Sequence, residues 1–199
     1  DWTFTITPAA LTASGSGTAS GTFGGSLGSL SVSGLKAMLG TDEISGRWTL
    51  SGGDIPNVGD TGMYTAEFTA DVHPEYYKPL TAKVTLDIAK AQAPAMADTT
   101  LSCYWGASVE KSVSLAGLPE NTGEIYPATI AVSDVNGILA VDSARYSDGK
   151  LYFTLGENTE ESIGNTAEIT LTLPTQNYTD FTFRITVTLA AKGDQQAPL

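Results

Sequence analysis

The chain has 199 residues, 41% of them hydrophobic, which is enough to bury a sizeable core. It carries 22 acidic and 10 basic side chains, and its net charge of −12 argues against nucleic-acid and anionic-membrane partners, because phosphate binding needs a concentrated basic patch. No apolar run approaches the roughly 20 residues of a membrane span, and the single cysteine, Cys103, rules out an intramolecular disulfide.

The chain opens on D-W-T-F-T-I-T, which closely copies D-F-T-F-R-I-T at 180–186. This opening stretch is either the tail of a preceding module or the first strand of the first domain. Trp2 and Phe4 are too apolar to be left in water, so we favour the first strand. On either reading we expect the natural chain to continue in both directions, with 193–199 as a linker tail.

The glycine-rich segment at 14–26 follows. Its composition is that of a flat edge strand or a mobile loop. It lacks the G-K-S/T of a phosphate-binding loop and does not lie between a strand and a helix. The next stretch, 34–39, predicts at most a turn.

Short strands are expected along the remainder of the chain, because apolar and polar residues alternate between clusters of turn residues. Their spacing of 8–12 residues predicts antiparallel sandwiches, and no stretch has a convincing helical period. The expected strands are 27–33, 47–51, 64–68, 80–88, 99–105, 112–116, 129–133, 150–155, 169–173 and 181–189.

An internal repeat divides the chain into two modules. The apolar positions of the last expected strand recur about 101 positions earlier, in the strand that begins at Leu80. In the strand before each of these, Tyr64, Ala66 and Phe68 correspond to Ile169, Leu171 and Leu173. The sequence therefore predicts an all-β protein of two tandem Ig-like antiparallel β-sandwich domains, 1–92 and 93–192, joined by A-K-A-Q-A-P.

Several segments carry a family resemblance. F-T-I-T-P-A-A-L-T-A-S at 4–14 and T-F-G-G-S-L at 22–27 resemble the start of the MBG-type repeats of large bacterial surface proteins. N-Y-T-D-F-T-F-R-I-T-V-T near the end resembles companion Ig-like modules of Gram-positive surface proteins. The resemblance implies Ig-like sandwiches on a cell surface and brings no catalytic residues with it.

A second resemblance concerns a strand corner. D-T-G-M-Y-T-A, with Asp60, Gly62 and Tyr64, resembles the D-x-G-x-Y-x-C stretch of immunoglobulin domains, with Ala66 in place of the cysteine. In those domains the tyrosine hydroxyl ties the corner to nearby backbone. We therefore expect these three residues to form a structural corner.

No motif in the sequence supports catalysis. There is no G-x-S-x-G and no H-E-x-x-H, and Cys103 has no nearby histidine, since the only one, His73, lies in the other module. Asp71, His73 and Glu75 share one loop, and Glu157, Glu160 and Glu161 share another, but both are interpreted as solvated loops without metal. We expect no enzyme activity and no cofactor.

Binding by aromatic side chains is the remaining hypothesis. Tyr76, Tyr77 and Trp105 are candidate contact residues, and Tyr76 and Tyr77 are adjacent, so one of them should be exposed. The expected function is a non-catalytic spacer or contact surface of a bacterial extracellular surface protein. Its partners would be neighbouring modules and host or cell-wall glycans or proteins. The alternative is a carbohydrate-binding module or an accessory region of a secreted hydrolase.

Overall fold

The computed structural model describes residues 7–106 and 108–191. The expectations for the first strand and for the linker tail at 193–199 fall on 1–6 and 192–199, outside the described residues. The chain divides into two compact units between Ala91 and Gln92.

The described part of unit 1, from residue 7 onward, contains eight strands in two sheets. Five strands form one sheet in the order β3-β2-β8-β7-β6, and three form the other in the order β1-β4-β5. The strands are β1 (Thr12–Ser14), β2 (Gly17–Thr22), β3 (Ser31–Ser33), β4 (Lys36–Leu39), β5 (Asp42–Ile44), β6 (Gly46–Leu50), β7 (Tyr64–Ala70) and β8 (Leu80–Ala89).

In unit 2 the described residues form seven strands, in sheets ordered β11-β14-β15-β9 and β10-β13-β12. In chain order, the third, sixth and seventh strands share the first sheet, and the second, fourth and fifth form the other. These six strands divide as they do in a constant-type immunoglobulin sandwich, whereas the first strand, β9, lies beside β15 and not in the other sheet. The strands are β9 (Thr99–Tyr104), β10 (Glu110–Ser114), β11 (Thr129–Ser133), β12 (Arg145–Ser147), β13 (Lys150–Thr154), β14 (Thr166–Leu173) and β15 (Phe181–Ala190).

The predicted repeat is present in the strand register. In unit 1, β7 pairs with β8 so that Tyr64 lies opposite Val84 and Phe68 opposite Leu80. In unit 2, the corresponding β14 and β15 pair so that Ile169 lies opposite Ile185 and Leu173 opposite Phe181. The expected fold class, all-β with Ig-like sandwiches, is confirmed by these two matching sheets.

One feature departs from the antiparallel expectation. In each unit an early strand runs parallel to the last strand: β2 lies beside β8, and β9 lies beside β15. Parallel neighbours cannot be joined by a tight turn and need a long crossover, which the rest of each unit supplies here. Short-range alternation in the sequence carries no information on this pairing.

The two cores differ in composition. In unit 2 the last two strands are buried on one face by large side chains, among them Ile169, Leu171 and Phe181, each 0% exposed. In unit 1 several of the buried positions are alanines, including Ala19 and Ala66. The physical reason lies in β2, the strand drawn from the glycine-rich segment.

Strand β2 is not the edge strand or loop that its composition predicted, because it pairs on both sides, with β3 and with β8. Its core-facing positions are small because leucines occupy the adjacent space. A Cβ added to Gly17 would lie 2.5 Å from Cγ1 of Val84 and 2.7 Å from Cγ of Leu35. Glycine at this position thus leaves room for the side chains of Val84 and Leu35.

Other local expectations also need correction. The stretch expected to hold at most a turn contains β4, and 27–33 begins with a 3₁₀ turn, Leu27–Ser29, before β3. The short strands β1, β5 and β12 were missed, because segments of three residues give too few alternations to be recognised.

The tight space beside Gly17 predicts that Gly17→Val destabilises unit 1. The added methyl groups would overpack the core against Val84 and Leu35, at a cost of about 1–3 kcal/mol. Ser20→Val is the matched control, since Ser20 lies on the exposed side of the same strand. Urea unfolding measures both, and equal stabilities of the two variants would contradict this packing.

Candidate functional site

The predicted contact residues Tyr76 and Tyr77 lie at the end of the 3₁₀ turn Pro74–Tyr76 in unit 1. Tyr76 is 46% exposed, and its ring stacks on the His73 ring with centroids 4.6 Å apart. Tyr77 is half-buried, and its backbone N–H donates to the carbonyl of Pro74. One of the two tyrosines is therefore exposed, and one face of its ring is already covered by the histidine.

The third predicted contact residue, Trp105, lies in the other unit. It follows the end of β9 and is half-buried. Tyr76 and Tyr77 are thus neighbours, whereas Trp105 is not part of their unit. The structure does not assemble the three residues into one platform on one sheet.

The predicted corner residues do come together, at the start of β7. Oδ1 of Asp60 accepts the backbone N–H of Gly62 at 2.7 Å and the hydroxyl of Tyr64 at 3.3 Å. The tyrosine therefore bonds to a side chain, not to backbone as in the immunoglobulin corner. Partial burial, and then the negative charge of Asp60, raise the pKa of Tyr64.

Of the residues considered for chemistry, His73 and Glu75 are in contact. Nδ1 of His73 lies 3.0 Å from Oε1 of Glu75, and in residues 7–106 and 108–191 no three His, Cys, Asp or Glu side chains group so that they could hold a metal ion. A hydrogen bond from the backbone N–H of Glu75 lowers the pKa of the Glu75 carboxyl, and the hydrogen bond with the His73 side chain lowers it further. Burial raises the pKa of the Cys103 thiol, which disfavours the reactive thiolate.

A surface that the sequence did not single out lies on unit 2. It is formed by the edge of one sheet, Ile125–Ser133, and by Tyr146 on the edge strand of the other sheet. We call it the open edge. Between the two edges lies a groove of about 500 Å³, lined by Ile125, Tyr126, Pro127, Ala128, Ile130 and Tyr146.

The open edge exposes side chains that belong to the core face of their sheet. Val132 lies opposite Ile169 across the strand pair, and directly opposite residues share a face. Ile169 is 0% exposed, yet Val132 is 48% exposed. Among residues 7–106 and 108–191, nothing therefore covers the core of unit 2 at this edge, and β11 has β14 as a neighbour on one side only.

The segment before β11 forms hydrogen bonds with the residues that directly follow β14. The backbone N–H of Tyr126 donates to the carbonyl of Pro174 at 3.0 Å, and Ile125 forms an isolated bridge with Thr175. Next to them, the fully buried Asn177 donates from Nδ2 to the carbonyl of Asn121 at 2.9 Å. The groove is consequently built on fixed backbone.

Strand β11 itself carries neither the lysine nor the proline that often protects a strand edge. From Ile125 to Ser133 no residue is charged, and Pro127 precedes β11. The corresponding edge of unit 1, β6, carries Arg47 and packs Trp48 against Phe68 with ring centroids 5.2 Å apart. The absence of charge did not single out this surface in the sequence, because the longer stretch 2–35 is also uncharged.

Among residues 7–106 and 108–191 there is no helix with the length and hydropathy needed to cross a membrane.

Comparison with known proteins adds structural neighbours of low similarity. No protein-family profile and no curated protein matches the sequence. Titin domains z1z2 in complex with telethonin are similar at 12% identity and a TM-score of 0.37, over 94% of this chain and 100% of theirs. Murine CEACAM1b is similar at 16% identity and a TM-score of 0.32, over 77% of this chain and 73% of its own.

A further neighbour is an I-band fragment of titin, at 11% identity and a TM-score of 0.34. The match covers 92% of this chain but only 61% of that fragment. Scores and identities at this level establish neither a function nor a partner. The fold assignment rests on the strand order and register of each unit.

The corner predicts a delayed ionisation of one tyrosine. Because the neutral phenol of Tyr64 is favoured in the folded chain, its contribution to stability is present below the ordinary pKa of about 10 and is lost as the pH rises through the folded-state pKa. Tyrosinate absorbance, with Tyr64→Phe subtracted, measures this titration. Asp60→Asn should move it back towards its usual range.

The control for this titration is Glu67→Gln, which removes a carboxylate from the same strand and leaves the corner bonds intact. It should leave the Tyr64 titration unchanged. An Asp60→Asn variant that titrates like the native chain would contradict the role of Asp60.

Proposed function

We propose that the chain is a non-catalytic spacer region of a bacterial protein exported to the cell surface, built from serial Ig-like modules. The observation that carries this proposal is the path of the chain through each unit. The chain enters beside the start of the last strand and leaves at the end of that strand.

In unit 1 the path begins at Ala9. Its N–H donates to the carbonyl of Tyr76 and its carbonyl accepts the N–H of Lys78, each at 2.8 Å, just before β8 begins. Strand β2 then runs parallel to β8 until Thr22 lies beside Ala89, the last residue of β8. The chain thus traverses the unit along its longest strand.

Unit 2 repeats this path. The N–H of Ala93 donates to Oγ1 of Thr179 at 2.9 Å, just before β15 begins. Strand β9 then runs parallel to β15 until Tyr104 lies beside Ala190. Because each last strand holds 10 residues, it spans about 33 Å, and each module advances the chain by a distance of that order.

The surface location is supported by the resemblance of the sequence to MBG-type and Gram-positive Ig-like repeats, and by the acidity of the chain, which favours solubility. Antibodies raised against the chain should label intact cells of the source bacterium. Labelling that appears only after permeabilisation would contradict the location.

The described aromatic side chains do not favour the carbohydrate-binding alternative. A sugar platform needs a row of exposed rings on one sheet, but the aromatic residues that are clearly exposed, Tyr76 and Tyr126, lie in different units. The ring of Tyr152, on the outer face of β13, is covered by the guanidinium of Arg145 at 4.0 Å.

Pulling the chain from its two ends tests the spacer function. Force applied this way loads β2 against β8, and β9 against β15, in shear, so that the bonds of each parallel pair must rupture together. Single-molecule extension should show two separate events. They should release about 250 Å and about 320 Å, which is the length of roughly 80 and 100 residues at about 3.5 Å per residue less the about 33 Å that each folded unit already spans.

A different pulling direction provides the control. Handles on Ser114→Cys and Lys150→Cys open the antiparallel pair β10–β13 at its paired end, where bonds break one at a time. Cys103, only 4% exposed, does not compete for the handles. Unit 2 should open at a clearly lower force than in end-to-end pulling; equal forces would contradict a load-bearing arrangement.

A further inference from the structure

We propose that the open edge of unit 2 pairs with the same edge of a second copy of this chain, β11 against β11, in antiparallel orientation. The proposal concerns the contact surface and does not depend on the spacer function. The core face is exposed at Val132, and one side of β11 has no partner strand in the part of the chain that the structure describes. An edge strand in this state presents backbone N–H and C=O groups to an added strand.

The charge distribution favours a second copy as the occupant. Two chains of net charge −12 repel each other over most of their surfaces. The open edge is uncharged from Ile125 to Ser133, so that two copies can approach here without bringing like charges of this segment together. The flanking Asp134 is turned to its own loop, where its carboxylate accepts the N–H groups of Ile138 at 3.0 Å and Leu139 at 2.7 Å.

When two copies of β11, T-I-A-V-S, are paired antiparallel, residues of the same kind lie opposite each other. With Ala131 at the two-fold axis, Thr129 lies opposite Ser133 of the second copy and Ile130 opposite its Val132. Polar residues then meet polar residues, and the core-facing branched side chains meet each other. A symmetric contact of this kind is isologous and closes at two copies.

Other registers fit less well. Pairing centred on Ile130 places Pro127, which has no N–H, opposite Ser133 of the second copy. Pairing centred on Val132 places Asp134 opposite Ile130 on the core face. The register centred on Ala131 pairs all of β11 with itself, and both Pro127 and Asp134 then lie outside the paired strands.

Self-pairing would also cover the groove. It would join two four-stranded sheets into one of eight strands, and Ile130 and Val132 of each copy would cover the uncovered core of the other. The contact is small, so the dimer should be weak, and it should be observed between about 10 µM and about 1 mM.

Sedimentation of the 199-residue chain over this concentration range tests the proposal. The native chain should dimerise reversibly. Ala131→Lys and Ala131→Glu should each weaken the dimer about five-fold or more, because like charges then face each other at the axis. An equimolar mixture of the two variants should dimerise at least as well as the native chain, since opposite charges then meet.

The matched control is Thr49→Lys, at an exposed position on β6, the corresponding edge of unit 1. It should leave dimerisation unchanged. Hydrogen exchange of the amides from Thr129 to Ser133 should slow as the native chain is concentrated, and not in Ala131→Lys.

Three results of the sedimentation experiment would overturn the proposal. They are a monomer at every concentration, a dimer unaffected by the Ala131 variants, and variants that do not recover on mixing. Protection of β11 in a monomer by a synthetic D-W-T-F-T-I-T peptide would also overturn it, and would assign the edge to that segment of the chain instead.

Discussion

The parallel pairing of an early strand with the last strand is the constraint on which the rest of each unit depends. It places β8 and β15 between two neighbours, so that their backbone groups are bonded on both sides. It requires the intervening chain to act as the crossover, which fixes the second sheet against the first. It also sets where the chain enters and leaves, and the proposed spacer function follows from that path.

The two units meet this constraint with different side chains, and their surfaces differ as a result. In unit 1 the core face of the paired strand β2 carries small residues, and the side chains of Leu35 and Val84 fill the space beside Gly17 that a larger strand residue would take. In unit 2 the equivalent strand β9 carries Leu101 and Cys103, and the core is built from large residues. That larger core extends to an edge where Val132 has no cover among the described residues. The corresponding sheet edge of unit 1, β6, carries Arg47 and Trp48.

The sequence predicted what depends on local alternation. The long strands were recognised, and so was the correspondence of Tyr64 with Ile169, because one apolar face per strand gives a period of two. The place of β2 inside a sheet could not be predicted, since its glycines look alike whether they line a loop or make room for Leu35. The open edge was missed for a related reason. Val132 alternates correctly for a core position, and only the sheet order shows that no strand within the described residues covers it.

Backbone NOEs in an isotopically labelled sample test the central claim most directly. The account predicts inter-strand contacts that ascend together in both strands, from Gly17 with Val84 to Gly21 with Ile88 in unit 1. Unit 2 should show the same pattern, from Leu101 with Val187 to Cys103 with Leu189. Contacts that ascend in one strand while they descend in the other, or their absence in both units, would contradict it.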